Sequence, residues 1–229
     1  MEPTAATAVV VPMFNEETVV GDVVSELRGR FPLVVCVDDG STDASADVAR
    51  RAGAVVLEHS VNLGAGGALQ TGLDFVRTHT AAEYAVTFDA DGQHRCVDAV
   101  AMVERARTEG VDVVLGSRRL GCQEGSTLAR RLLLVLALRY SRWNSGLALT
   151  DTHNGLRVLS RRAMEAIRLQ QRGMAHASEL ESLVAAQGLS WVEHPVTVQY
   201  TDYSRAKGQS GLNAFNIVYD LTVSRLGTS

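Results

Sequence analysis

Two carboxylates one residue apart, Asp89 and Asp91, follow the apolar run Tyr84 to Phe88 and precede Gly92, Gln93 and His94. Aromatic and β-branched residues in that run predict a short buried strand, so the acidic pair stands at a strand end. In an open α/β sheet, ligands collect beyond the carboxyl ends of the strands, where a substrate would meet both carboxylates. Hard oxygen donors beside an amide suit Mg²⁺ or Mn²⁺, which complete their shells with water and phosphate oxygens. The spacing points to a metal clamp for a diphosphate, although an isolated Asp-x-Asp also makes an ordinary turn.

The elements that must hold this pair repeat one pattern. Ala8 to Val11 reads as a strand, Pro12 to Glu17 as a loop, and Val19 to Leu27 as an amphipathic helix. Leu33 to Val37 is a second strand that stops at Asp38-Asp39-Gly40-Ser41-Thr42-Asp43; a helix follows through Arg51, with Ser41 or Thr42 as its N-cap. Ala54 to Leu57 is a third strand, and the glycine-rich Asn62 to Ala68 opens a helix that reaches about His79. After the Tyr84 strand come a helix from Val97 to Glu109 and a fifth strand from Val111 to Gly116. This alternation predicts an α/β fold, a mostly parallel sheet flanked by helices with right-handed crossovers.

Beyond Gly116 the regularity weakens. Strands are expected at Gly155 to Ser160 and Trp191 to Tyr200, with helices at Arg161 to Leu169, Ala177 to Gln187 and Leu212 to Arg225. Ser126 to Asn144 also reads as helical: Leu132 to Leu138 is apolar and is flanked by Arg130, Arg131, Arg139, Arg142 and Trp143. Such a helix suits either a protein core or a lipid interface.

Composition sets the outer limits. A chain of 229 residues, 46% hydrophobic and 21% charged, fits one globular domain over residues 1–229, and no linker breaks it. A formal charge of −4 argues against a general nucleic-acid binder. Cys36, Cys96 and Cys122 are odd in number and scattered, the pattern of reduced thiols in the cytoplasm. Met1-Glu2-Pro3 does not open a signal peptide, and no apolar run approaches the roughly 20 residues that span a bilayer. The sequence does not decide between a lone chain, a homo-oligomer and association with a separate membrane partner.

Four loops at strand ends thus converge: Pro12 to Glu17, Asp38 to Asp43, Asn62 to Gly67 and Asp89 to His94. A nucleotide needs such variety, with Phe14, Glu16 and Asp39 as candidates for base and ribose. Gly64, Gly66 and Gly67 permit close packing of a helix start. They lack the spacing of a dinucleotide fingerprint and the Lys-Ser/Thr of a P-loop.

The motifs Val10-Val11-Pro12-Met13-Phe14-Asn15-Glu16-Glu17, Val37 to Asp43, Asn62-Leu63-Gly64, Asp89 to His94 and Gly116-Ser117-Arg118 resemble the inverting glycosyltransferases of family 2, on the Rossmann-like GT-A fold. Within that family the likeness is to dolichyl- or polyprenyl-phosphate mannosyl- and glucosyltransferases, and it covers residues 8 to 216. The resemblance implies a nucleotide-sugar half at about 8–118 and an acceptor-side extension at about 119–229. It implies Asp89, Asp91 and Gln93 as metal ligands, and Pro12, Phe14, Asn15, Glu16, Val37, Asp39, Gly64 and Ala90 around a nucleoside diphosphate sugar such as GDP-mannose or UDP-glucose.

For the acceptor side, it implies that Arg118 and Arg131 grip a polyprenyl phosphate at the inner face of a membrane, and that Arg205 meets the donor diphosphate. Guanidinium forks suit both tasks. Asp151, in Asp151-Thr152-His153-Asn154-Gly155-Leu156-Arg157, could serve as general base for a hydroxyl acceptor or merely position Arg157; a phosphate acceptor is already anionic and needs no base. His94 and His153 are read as structural, hydrogen-bonded histidines. Ala65, Cys96 and Gly211 depart from the residues common at their positions. Alternatives are a soluble hydroxyl acceptor, a glycan or small metabolite, and a non-catalytic sugar-nucleotide-binding protein.

Overall fold

The computed structural model describes residues 4–123, 146–151, 154–173 and 175–199. The helices expected at Ser126 to Asn144 and Leu212 to Arg225 lie outside them.

Along the chain run β1 (Thr7–Met13), α1 (Val20–Arg28), β2 (Leu33–Asp38), α2 (Ser45–Arg51), β3 (Val55–Glu58), α3 (Ala65–His79), β4 (Tyr84–Thr87), α4 (Cys96–Glu109), β5 (Val113–Gln123), β6 (Arg157–Ser160), α5 (Arg161–Ala166), α6 (His176–Ala186) and β7 (Trp191–Val198). The strands form one sheet in the order β3-β2-β1-β4-β6-β5-β7. All neighbouring pairs are parallel except those of β6, which runs antiparallel to β4 and β5.

Alternation along the strands sorts the core into two layers. Val9, Val11, Val34 and Cys36 face α1, α2 and α4, where Val24, Leu27, Ala49, Met102 and Val103 meet them. Ala8, Val10 and Val35 face α3, α5 and α6, with Leu69, Leu73, Met164 and Leu180. Sheets buried on both sides read as continuous apolar runs, which is why β1 and β2 were plain in the sequence.

Two local expectations change. Neither Ser41 nor Thr42 caps α2, whose N-cap position is Ala44. Asp43 Oδ1 instead accepts from Ser45 N at 3.0 Å, and Glu17 Oε2 accepts from Ala44 N at 3.0 Å. Carboxylates thus satisfy the helix start, and Ser41 Oγ turns back to Asp38. β5 also continues to Gln123, because β7 pairs along it past an irregularity after Ser117.

At the opposite rim of the sheet, Asp112 is a staple. It accepts from Ser190 N and Ser190 Oγ, each at 2.9 Å, from Ser160 Oγ at 3.2 Å, and from Arg162 Nη1 at 2.9 Å. Burial opposes its ionisation, but the Ser190 bonds and the Arg162 charge outweigh burial and hold the carboxyl below its usual range.

Two predictions follow from this packing. A Cβ at Gly72 would lie 2.3 Å from Val10 Cγ1 and 3.1 Å from Val37 Cγ2, both on fully buried side chains. Gly72→Ala should keep the fold and lower unfolding free energy by about 1–3 kcal/mol in urea titration. For Asp112 the folded pKa lies below the unfolded one, so its stabilisation is complete above about pH 4 and is lost as pH falls through the folded value. Asp112→Asn should therefore be less stable than the parent at pH 7, with the gap closing as thermal unfolding is followed into acid.

Candidate functional site

The loop after β1 and the loop after β2 are laced together. Asn15 adopts φ 53°, a left-handed conformation that Asn tolerates better than most residues. Its N–H donates to Ser41 Oγ at 2.9 Å, and its Oδ1 accepts from Thr42 N at 2.9 Å. Glu16 N donates to Ser45 Oγ at 2.7 Å. Phe14, at 41% exposure, projects from this framework, and Pro12 is partly exposed.

Asp39 has an occupation that its place in the sequence did not disclose. Its Oδ1 accepts from Leu63 N at 2.8 Å and pairs with His59 Nδ1 at 2.8 Å, while Oδ2 accepts from Gly64 N at 2.7 Å. Three of the roughly four acceptor positions of a carboxylate are filled by the protein. Asp39 therefore fixes the glycine-rich loop, and its direct contact with ribose is curtailed. His59, which no motif marked, is steadied in turn by Thr71 Oγ1 at 3.0 Å.

The glycine-rich loop serves packing. A Cβ at Gly64 would fall 2.3 Å from Arg172 O, and one at Gly66 would fall 2.0 Å from Gln171 O. Gly66 N donates to Arg172 O at 2.8 Å. Residues 171–173 thus pack against Gly64 and Gly66 on the side where a Cβ would project. Val37 and Ala90 are likewise buried in the core, so their side chains face neighbouring helices.

At the end of β4 the two carboxylates part company. Asp89 Oδ2 meets His94 Nε2 at 3.0 Å, and the His94 ring stands edge-on to Phe88. The Asp89 side chain remains 46% exposed. Its place at the crevice floor works against ionisation, but the bond and charge of His94, then Arg157, hold it below the usual carboxylate range. Burial, and next the charge of Asp89, push Asp91 the other way, up to about 6. Asp91 accepts from Gln93 N at 3.0 Å and from Gln93 Nε2 at 2.6 Å.

A pair in which Asp91, unlike Asp89, has no salt bridge among the described residues fits a hard divalent ion. Among the described residues no three His, Cys, Asp or Glu side chains are grouped to hold a metal. The protein can thus furnish part of a shell that water and phosphate would complete, as Mg²⁺ commonly requires.

Behind Asp89 lies a buried charge cluster that sequence reasoning missed. Arg157 is 3% exposed at the first position of β6, flanked in register by Thr87 and Leu115. Burial lowers its pKa, opposed by Glu181 and Asp89. Burial and the Arg157 charge hold His176 down at about 4, so its neutral ring donates from Nδ1 to Gly173 O at 2.8 Å. A charged residue opening an apolar strand was the available signal.

On the far side of the crevice, Arg118 and Asp151 form a fork. Arg118 Nε and Nη2 donate to the two Asp151 oxygens at 2.7 Å each, and Arg118 N donates at 2.8 Å. The Asp151 side chain is 4% exposed. Its backbone N–H, with Thr150 N and Oγ1, reaches Glu193 on β7. Asp151 thus holds Arg118, whereas the sequence offered a general base or a support for Arg157 as its alternatives. Arg131, His153 and Arg205 lie outside the described residues.

A cavity of about 530 Å³ borders Asp91 from the other side, between α1 and the turn into α4, with Val19, Val23, Phe88, Val97 and the acids Asp22 and Glu26 in its walls. Of the four strand-end loops expected around a nucleotide it touches only the last, through Asp91, Gly92 and His94. Among the described residues no helix is long and apolar enough to cross a membrane.

Comparison with known proteins agrees with this architecture. An uncharacterized protein of Methanocaldococcus jannaschii is 33% identical over 223 residues, covering 95% of this chain and 91% of its own. The UDP-N-acetylglucosamine–dolichyl-phosphate N-acetylglucosaminyltransferase of Methanococcus voltae is 28% identical, with 95% of each chain covered. Among solved structures, glucosyl-3-phosphoglycerate synthase from Mycobacterium tuberculosis, in complex with Mg²⁺ and uridine diphosphate, superposes with a TM-score of 0.69 at 20% identity, over 98% of this chain and 80% of that one. That likeness concerns the fold. The family model described as glycosyl transferase family 2 matches residues 8–168. With the motif order and the strand-end crevice, that match makes the chain a member of glycosyl transferase family 2, an enzyme on the GT-A fold.

Proposed function

We propose that the protein is an inverting, metal-dependent hexosyltransferase that moves a sugar from a nucleoside diphosphate donor to a polyprenyl phosphate at a membrane surface. The observation that carries the acceptor class is the Arg118–Asp151 fork. A hydroxyl acceptor must lose its proton as it attacks the anomeric carbon, and Asp151 was the candidate base. A carboxylate with both oxygens held by a guanidinium, and almost no exposure, is poorly placed for that work. A phosphate acceptor needs no base, and the Methanococcus voltae relative carries a dolichyl phosphate in its name.

In this reading Phe14 and Asn15 form the rim that receives the nucleotide, over a framework fixed by Asp39, Ser41 and Ser45. Asp91, Asp89 and Gln93 would hold Mg²⁺ or Mn²⁺, which when bound offsets charge on the departing diphosphate. Asp151 fixes the plane of Arg118, which faces the acceptor phosphate together with Arg131, and Arg205 covers the diphosphate. The acceptor oxygen then reaches the anomeric carbon from the face opposite the leaving group, aligned by residues of the β5 and β6 ends.

The direct test incubates purified protein with Mn²⁺, labelled UDP-N-acetylglucosamine, UDP-glucose or GDP-mannose, and undecaprenyl phosphate in detergent or vesicles. Label should pass to the lipid phase with one of the donors; transfer only to a soluble alcohol would overturn the acceptor assignment. Asp91→Asn should weaken Mn²⁺ binding in calorimetry at least about tenfold and lower turnover at least about a hundredfold, the scale set by losing a charge at a transition-state contact. Asp151→Asn should raise the acceptor KM about tenfold or more, a loss near 1.4 kcal/mol, while the shape of the pH–rate profile stays. A base role would instead remove kcat at every acceptor concentration.

A further inference from the structure

The turn that leads into β6 emerges between the ends of β4 and β5, because β6 lies between those strands. Its residues are pinned from both sides. Thr87 Oγ1 donates to Gly155 O at 2.5 Å, and Gly116 N donates to Leu156 O at 3.1 Å. Gly155 lies so near Asp89 that a Cβ there would be 2.1 Å from Oδ2 and 2.3 Å from Oδ1. The turn therefore forms the wall between the Asp89 carboxylate and the Arg118–Asp151 fork.

Asn154 stands at the head of that wall, and the two halves of its amide differ. Oδ1 accepts from Leu156 N at 3.0 Å, which fixes the plane of the group. Reversing the amide would set donor against donor, so the nitrogen must be the end left over. That nitrogen has no hydrogen-bond partner among the described residues, although Asn154 is only 7% exposed. Buried donors without acceptors are rare and each calls for a reason. Here the backbone spends several interactions holding one in place, which is the pattern of a group kept for a ligand.

What ligand atom would meet it follows from position. If the diphosphate lies on the Asp91 side and the acceptor on the Arg118 side, the interval between them holds the sugar being moved, whose hydroxyls are neutral oxygen acceptors. We propose that Asn154 is a specificity-determining residue whose Nδ2 donates to an oxygen of the transferred sugar. The assignment rests on the transferase reading above. It implies that the residue contributes to recognition of the sugar and nothing to recognition of the nucleotide. A site built to bond a hydroxyl discriminates sharply against sugars that lack or misplace it.

The experiment is calorimetric titration, with Mn²⁺ present, of the parent protein, Asn154→Ser and Asn154→Asp. The ligands are UDP and GDP, then UDP-glucose, UDP-N-acetylglucosamine and GDP-mannose. Serine keeps an acceptor for Leu156 N, and aspartate keeps it while turning the donor end into an acceptor; thermal unfolding of each variant checks that the fold persists. For the donor that the parent binds, the sugar nucleotide should weaken about fivefold or more in Asn154→Ser and further in Asn154→Asp, with the free nucleoside diphosphate unchanged within about twofold. Equal weakening of both ligands, or of neither, would sink the assignment while leaving the transferase reading intact. A parent protein that binds no nucleotide at all would remove both.

Discussion

Asp89 and Asp91 leave β4 one residue apart, and the repulsion between them is the constraint around which the crevice is arranged. An unpaired charge is costly in the core that buries β4, and the pair sits beyond the last ladder position. His94 and Arg157 answer Asp89, whereas burial and the Asp89 charge push Asp91 up to about 6, with Gln93 as its hydrogen-bond donor among the described residues. The protein thus compensates the charge of Asp89 more fully than that of Asp91. Such asymmetry is how one scaffold gives two neighbouring acids different duties.

Holding that arrangement requires loops that do not wander. The first two strand-end loops exchange hydrogen bonds through Asn15, Ser41 and Ser45, and Asp39 fastens the third through Leu63, Gly64 and His59. Gln199 N donates to Gln93 O at 2.9 Å, so the end of β7 steadies the acidic turn. Nearly every polar residue that a motif search would assign to the ligand is spent first on the protein. Rigid support around a few outward groups is what placement of a reacting centre demands.

The architecture was legible because its signals are local. Apolar runs, turn residues and helical periodicity lie within a few positions of one another, and they marked β1 to β5 and α1 to α4, with small shifts at the ends except at β5, which runs on from Gly116 to Gln123. The acidic pair and its histidine were legible for the same reason. What failed was pairing over distance. Nothing near Asp151 in sequence says that Arg118 is its partner, 33 residues away, or that Asp39 reaches Leu63 and Gly64. Nothing beside the glycines at 64 and 66 in sequence discloses the backbone of residues 171–173 that packs against them. Arg157 was marked only as a residue that Asp151 could position, because nothing near it in sequence places Glu181 and Asp89 around it.

The place of β6 also bears on how the chain reaches this state as it is made. β1 to β4 can associate as soon as they leave the ribosome, since each finds its parallel neighbour among segments already present. β5 cannot, because its two neighbours are β6 and β7, and both are synthesised later. For some forty residues of elongation β5 must wait with both edges unsatisfied, a vulnerable interval for a strand of apolar residues. The gap closes only when Arg157 to Ser160 slots between β4 and β5 and brings Arg157 to Asp89, and β7 covers the remaining edge of β5 later still.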